Sequence, residues 1–323
     1  MSHIPRPKAV FALFFCATAW WLSSPASAEL LKRSADWINT TGYEDSPYLS
    51  PDGKHLYFMY TPWSTWPAFF GQPPVLIGPA RPGHHVNPDS NPWEDSDLYL
   101  STRQLDGTWS APRNMEFNDR QADCCAMTWD GVTFAYQRTQ WANSALTDIY
   151  FMEAQPGGGW IRTSAGPGVN SPSASESNPH LSADGMTLYF TSNRAGGFGK
   201  NDLYVSRRAP DGTWMAAQNL GGRFNTRDHD DQIWVSRNGR TIYFNRDPGP
   251  QIVVSEWTRR GWSSPAPVRF GSRFVQGAEA SLTDDQSRIV FAEVRPELED
   301  IVIMEAQRRA DGSWSDAVPL QLP

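Results

Sequence analysis

Between Ser173 and Asn219, four short runs alternate apolar and polar positions: NPHLS, MTLYFTS, NDLYVSR and GTWMAAQN. Successive side chains of a strand point to opposite faces, so alternation rich in Tyr, Phe, Val and Leu predicts four strands. Asp184-Gly185 divides the first two runs and Asp211-Gly212 the last two, and Asp-Gly between such runs predicts tight hairpin turns. The middle pair is joined by a longer Gly-rich loop, Arg194 to Lys200. The stretch reads as a four-stranded antiparallel meander.

The meander recurs. Its first turn returns as SPDGKHLYF at Ser50, TWDGVTFAY at Thr128, SADGMTLYF at Ser182, SRNGRTIYF at Ser236 and TDDQSRIVF at Thr283. Its third strand returns as DLYLS at Asp97, DIYFM at Asp148, DLYVS at Asp202, QIVVS at Gln251 and DIVIM at Asp300. A tryptophan opens the fourth strand each time: Trp109, Trp160, Trp214, Trp262 and Trp314. Four strands at a period near 50 residues are the pattern of propeller blades. The chain is therefore expected to be all-β, a five-bladed β-propeller of four-stranded antiparallel blades. The blades run at about 40–115, 116–168, 169–221, 222–270 and 271–323, with an insertion at 61–96 in the first. Closing the ring hides sheet edges that a lone meander would leave open.

The stretch SESNPHLSADGMTLYFTSNRAGGFGKNDLYVSRRAPDGTW resembles the WD40-like propeller repeat of TolB-like and OmpA-associated periplasmic proteins. The match covers all five units and is weakest in the fifth, where Asp285-Gln286 replaces Asp-Gly. Unlike TolB, this sequence shows no α/β domain before the propeller, and it shows no peptidoglycan-binding domain after it. The resemblance implies a propeller in the periplasm and does not choose a partner.

Residues 1–28 read as an export signal. Arg6 and Lys8 precede an uncharged apolar run, Ala9–Leu22, and Ala26-Ser27-Ala28 is a small-x-small cleavage pattern. The run is short for a membrane span and polar sequence follows it, so cleavage after Ala28 would leave residues 29–323 as one periplasmic domain with no span. Losing Arg6 and Lys8 turns the net charge from −7 to −9. An acidic chain repels phosphate backbones, which argues against nucleic acid. Nothing in the sequence calls for a cofactor, and the domain reads as a monomer.

Strand direction sorts the loops. First-to-second and third-to-fourth turns share one face of the ring; second-to-third loops and blade-to-blade links share the other. The irregular sequence falls on that second face, where a binding site is expected. The insertion is stiffened by eight prolines and carries Trp63, Trp66, Phe69, Phe70, Trp93 and the pair His84-His85. Those aromatics suit a cap over the ring, a platform for a sugar or peptide, or both. Cys124 and Cys125 adjoin on an inner strand; they are either two packed thiols or a vicinal disulfide presenting a flat contact surface.

Acids gather where the inner strands begin: Glu44, Asp45, Asp123, Glu176, Asp230, Asp231 and Glu279. Arginines close the second strands at Arg138, Arg194, Arg246 and Arg295. Pairing that locks the blades is the simpler role for them. The sharper role is chemical: Asp123, Glu176, Asp230 or Glu279 as acid and base, provided two carboxylates stand free of arginine roughly 5–9.5 Å apart. His229, beside Asp228, Asp230 and Asp231, is the one metal-like cluster, and it reads more simply as a solvated loop than as a site.

The sequence thus favours a periplasmic binding or scaffold module without catalysis of its own. Its ligand would be an envelope protein segment or glycan, met by Trp63, Trp66, Trp93, His84, His85, Arg138, Arg194, Arg246 and His229. A carbohydrate-active hydrolase or lyase is the alternative.

Overall fold

The computed structural model describes residues 37–64, 67, 72, 75–84, 96–118, 123–140, 143–249, 251–295 and 300–320, and of residues 123, 140 and 143–145 only the backbone. The expected leader, Trp66, His85 and Trp93 lie outside them.

Among the described residues the chain is all strand and turn, with no helix long and apolar enough to cross a membrane. The first blade holds β1 (Tyr43–Leu49), β2 (His55–Thr61), β5 (Asp97–Thr102) and β6 (Arg113–Asn114); β3 (Trp63–Ser64) and β4 (Val75–Leu76) form a small hairpin within the insertion. The second holds β7 (Asp123–Met127), β8 (Thr133–Gln140), β9 (Asn143–Ala154) and β10 (Trp160–Ser164). The third is built from β11 (Glu176–Leu181), β12 (Thr187–Ser192), β13 (Asp202–Arg207) and β14 (Gln218–Asn219). In the fourth, β15 (Asp230–Val235), β16 (Thr241–Arg246) and β17 (Gln251–Thr258) are followed by a divided outer strand, β18 (Gly261–Trp262) and β19 (Ala266–Pro267). The fifth comprises β20 (Gly277–Leu282), β21 (Arg288–Arg295), β22 (Asp300–Gln307) and β23 (Val318–Pro319). Each sheet is an antiparallel meander, and the five blades form a ring.

The turns follow the sequence pattern for a local reason. Asp52 Oδ1 accepts from the backbone N–H two residues on, and Asp130, Asp184, Asn238 and Asp285 repeat the bond. The next residue must be left-handed, which favours glycine, as at Gly185 (φ 69°). Gln286 takes the same conformation at φ 55°, so the fifth turn forms despite its missing glycine.

The repeat tryptophans pack between blades. Trp214 of the third blade stacks on Phe151 of the second, centroids 5.6 Å apart, and Trp160 meets Phe117 edge-on at 5.0 Å. Trp109 and Trp314 are buried, whereas Trp160, Trp214 and Trp262 are half-buried.

One device tying the ring together escaped the sequence pattern. Asn118 binds both the N–H and the C=O of Leu98; Asn170 does the same to Ile149, and Asn225 to Leu203. Each asparagine sits just before a blade and grips the third strand of the preceding one. Asn39 does this across the closure, to Ile303 of the fifth blade at 2.7 and 3.0 Å, and also donates to Leu320 O. A buried seam of Ile38, Leu49, Phe58, Val290, Ile303 and Leu320 packs beneath it.

Candidate functional site

Each inner strand breaks register once, between Asp45 and Tyr48, Cys124 and Met127, Ser177 and His180, Asp231 and Trp234, and Ala278 and Ser281. The residue following each break is left-handed: Ser46 (φ 52°), Cys125 (54°), Asn178 (49°), Gln232 (56°) and Glu279 (59°). Non-glycine residues held there cost about 1–2 kcal/mol each, and bulges are used next to sites to re-aim a side chain. All five line one central cavity of about 50 Å³. Tyr48, Met127, His180, Trp234 and Ser281 line it two residues further along each strand.

Four of the five bulge amides are held from the neighbouring blade. Gln137 accepts from Asn178 N, Thr191 from Gln232 N, and Asn245 from Glu279 N. These three stand opposite the residue just before their own blade's bulge. At the closure that position is Ala292, whose side chain has no acceptor, and the Glu279 carboxyl takes over the Ser46 N–H. Glu279 also accepts from Ser46 Oγ at 2.9 Å and from Gln232 Nε2 at 2.7 Å.

Asp45 completes a carboxyl pair. Burial, then the charge of Asp45, holds the Glu279 carboxyl well above the usual carboxylate range, and a hydrogen bond joins the two side chains. Tyr43 donates to Asp45 at 2.6 Å. That shift favours the neutral form of Glu279, and the cavity wall presents hydrogen-bonding groups around a closely joined carboxyl pair. Lower in the cavity His180 is neutral, since burial pulls its pKa down to about 3, and its Nε2 meets Val235 O at 2.9 Å. Trp234 Nε1 is buried with no acceptor among the described residues.

The sequence-picked acids go mostly elsewhere. Glu176 binds Arg194 at 2.9 Å and accepts from Ser192 Oγ, and burial raises its pKa. Asp230 binds Arg246 at 2.7 Å and accepts from Thr226 Oγ1. In the fifth blade Arg295 binds Glu293, which lies on β21 rather than at the inner strand's entrance. Asp123 pairs in register with Arg138, its side chain lying outside the description. Of the three candidate acids with described side chains, Glu176 and Asp230 bind guanidinium groups, and Glu279 lies at the cavity with a carboxyl partner.

The insertion supplies the first blade's missing arginine. Arg81 Nη2 reaches Glu44 Oε1 and Ile38 O, each at 2.9 Å, and both ion-pair side chains are fully buried. Its guanidinium lies 4.2 Å from the Tyr60 ring centroid. His84 is buried beside Tyr60 and Tyr99, with Nδ1 3.3 Å from Asp97. Trp63 is half-buried in the small hairpin. On the same loop face, His229 stands near Asp228, Asp247 and Lys200, and Asp231 meets Asn201 at 3.3 Å. Burial, against that hydrogen bond, raises Asp231 to about 7. Among the described residues no group of three or more His, Cys, Asp or Glu is arranged to hold a metal ion.

Sequence reasoning named Glu279 and the cysteines but missed Ser46, Asn178, Gln232 and Arg81. The signal was available: in four units the bulge residue stands four positions before the turn's Ser or Thr, as a polar residue interrupting the alternation.

No family model matches the chain, and no curated protein does. Solved structures do. An exo-1,5-α-L-arabinanase from a bovine ruminal metagenomic library matches at 9% identity and a TM-score of 0.50, over 86% of this chain and 98% of that one. An α-L-arabinofuranosidase from Lactobacillus brevis matches at 12% and 0.51, over 89% and 99%. A structure described as a TolB from Agrobacterium tumefaciens matches at 17% and 0.47, over 87% and 81%. At these identities the likeness is one of fold alone, and the five blades are read from this chain's own sheets.

Proposed function

We propose that this protein is a glycan-binding propeller that holds a neutral, hydroxyl-rich ligand end at the mouth of its central cavity. The observation that carries the reading is the ring of five left-handed inner-strand residues converging on one cavity, with the buried Glu279 carboxyl, its pKa raised, beside Asp45. Ser46, Asn178, Gln232 and the Glu279–Asp45 pair offer donors and acceptors in rotation, which suits hydroxyls better than a charged group. Trp234 and Tyr48 give the wall apolar surface of the kind a sugar ring contacts. The arginine-bound acids of the other blades serve to hold the ring, so the count of carboxylates does not argue for catalysis. The export signal read from residues 1–28 would bring such a module to envelope glycans.

The hydrolase reading keeps one specific support, the Asp45–Glu279 pair itself, in which Glu279 has a raised pKa and could act as an acid. The two carboxyls are in contact, however, where glycosidases hold theirs roughly 5–9.5 Å apart. Two neighbours in fold are by name an arabinanase and an arabinofuranosidase, and at 9% and 12% identity the likeness is one of fold. The test is a glycan array probed with the full chain, followed by titration of the best hit against Asn178→Ala and Gln232→Ala. At least tenfold weaker binding by both variants supports the reading. Hit binding unchanged in both places the site elsewhere, and release of reducing sugar by the wild type moves the conclusion to the hydrolase.

A further inference from the structure

Adjacent residues of a regular strand send their side chains to opposite faces. Cys124 and Cys125 do not, because Cys125 is the left-handed residue of its bulge (φ 54°). The turn brings both sulfurs to one side, 2.8 Å apart, and both against Ser46 Oγ of the first blade, at 3.2 and 3.0 Å. Ser46 uses its only O–H on Glu279, so at Ser46 Oγ the two thiols act as S–H donors. Both cysteines are half-buried and Cys125 lines the cavity. The fold has thus brought two thiols together where sequence order alone would separate them.

We infer that Cys124 and Cys125 form a dithiol–disulfide redox site in the cavity wall, oxidised by exchange with a small disulfide that enters from solvent. In the first step one cysteine thiolate attacks a sulfur of the small disulfide. A bond forms between that cysteine and half of the reagent, the reagent's S–S bond breaks, and one thiolate leaves and takes up a proton. The second cysteine then attacks the first one's sulfur, forming the Cys124–Cys125 bond and releasing the other half of the reagent. Two hydrogens and two electrons pass from the cysteine pair to the reagent, which ends as two thiols. Oxidation removes both S–H donors from Ser46 Oγ, so the redox state of this wall is felt by the group that holds Glu279. Closing a bond between neighbours shuts no long loop, so little global stability comes with it.

The probe is glutathione disulfide, added in graded excess to the folded full-length chain and to the same chain in urea. After alkylation and trypsin digestion, residues 121–138 carry both cysteines in one peptide, apart from Cys16. The folded chain should yield that peptide two hydrogens lighter and closed to alkylation, at a reagent level at least tenfold lower than the unfolded chain needs. Cys124→Ser and Cys125→Ser should each stop at a mixed disulfide with glutathione. Two alkylated cysteines at every reagent level would overturn the proposal, as would equal oxidation with and without urea, which would credit adjacency and not the bulge. The wild-type result stands even if a serine variant fails to fold. It passes through no glycan, so it fails or succeeds apart from the binding reading.

Discussion

Replacing Arg81 with methionine tests how the insertion is joined to the ring. Glu44 and Arg81 are fully buried, and the guanidinium donates to Glu44 and to Ile38 O while lying on the face of Tyr60. Methionine keeps much of the apolar stem but leaves a carboxylate in the interior with Thr40 as its remaining partner among the described residues. Removing one member of a buried pair costs about 3–5 kcal/mol, because the remaining charge loses its compensation. Against a domain stability of about 5–15 kcal/mol, that is a large share of the total. The assay is equilibrium urea unfolding followed by tryptophan emission and far-ultraviolet circular dichroism. The midpoint should fall with little change in slope, since the surface exposed on unfolding stays the same. The pair Arg81→Met with Glu44→Gln should recover most of the loss, because the stranded charge is then gone. A single-variant loss below about 1 kcal/mol, or a double variant less stable than the single, would refute the claim that this arginine is a structural lock.

The same melts check the ring closure: Asn39→Ala leaves the Ile303 amide and carbonyl and the Leu320 carbonyl without their side-chain partner and should cost about 1–3 kcal/mol. A loss near zero would show that apolar packing alone closes the ring. Trp314→Ala should cost about 3–5 kcal/mol as a buried large-to-small change, and Trp214→Ala less, because Trp214 is only half-buried; equal losses would contradict the burial argument. Asp231 titrates near 7 when folded and near 3.8 when unfolded, so between those values the folded chain binds more protons. Its contribution makes stability fall as pH climbs from about 4 to about 7. Asp231→Asn should remove that falling contribution and leave the opposing rise from neutral His180, so the variant gains stability relative to the wild type as pH climbs through this range. Parallel profiles would mean that Asp231 is not raised.

The repeat was legible because a blade is a local object. Alternation fixes which side chains face inward, and the turn after Asp52 or Asp184 is decided by a hydrogen bond spanning two residues. Even the imperfect fifth copy formed its turn, since Asp285 supplies that bond and Gln286 accepts the left-handed backbone. The pairing of Glu176 with Arg194 and Asp230 with Arg246 was also readable, because register places both partners of each pair on one blade.

The site was not local in this sense. Its members come from all five blades, and which of them meet depends on how the ring closes. Ser46 and Glu279 lie 233 residues apart and touch because the first blade follows the last around the circle. Glu279 takes the Ser46 amide because the side chain of Ala292, on another strand, has no acceptor. Arg81 reads in sequence as one charge within a proline-rich loop, and only folding shows it filling the place that Arg194 and Arg246 hold in their blades. The cysteines are neighbours in any case; the bulge at Cys125 decides that their sulfurs face each other. Sequence alone determined the blade, through period, turn and strand. Closure determined the chemistry at the centre, because contacts around a ring join positions whose separation along the chain carries no periodic mark.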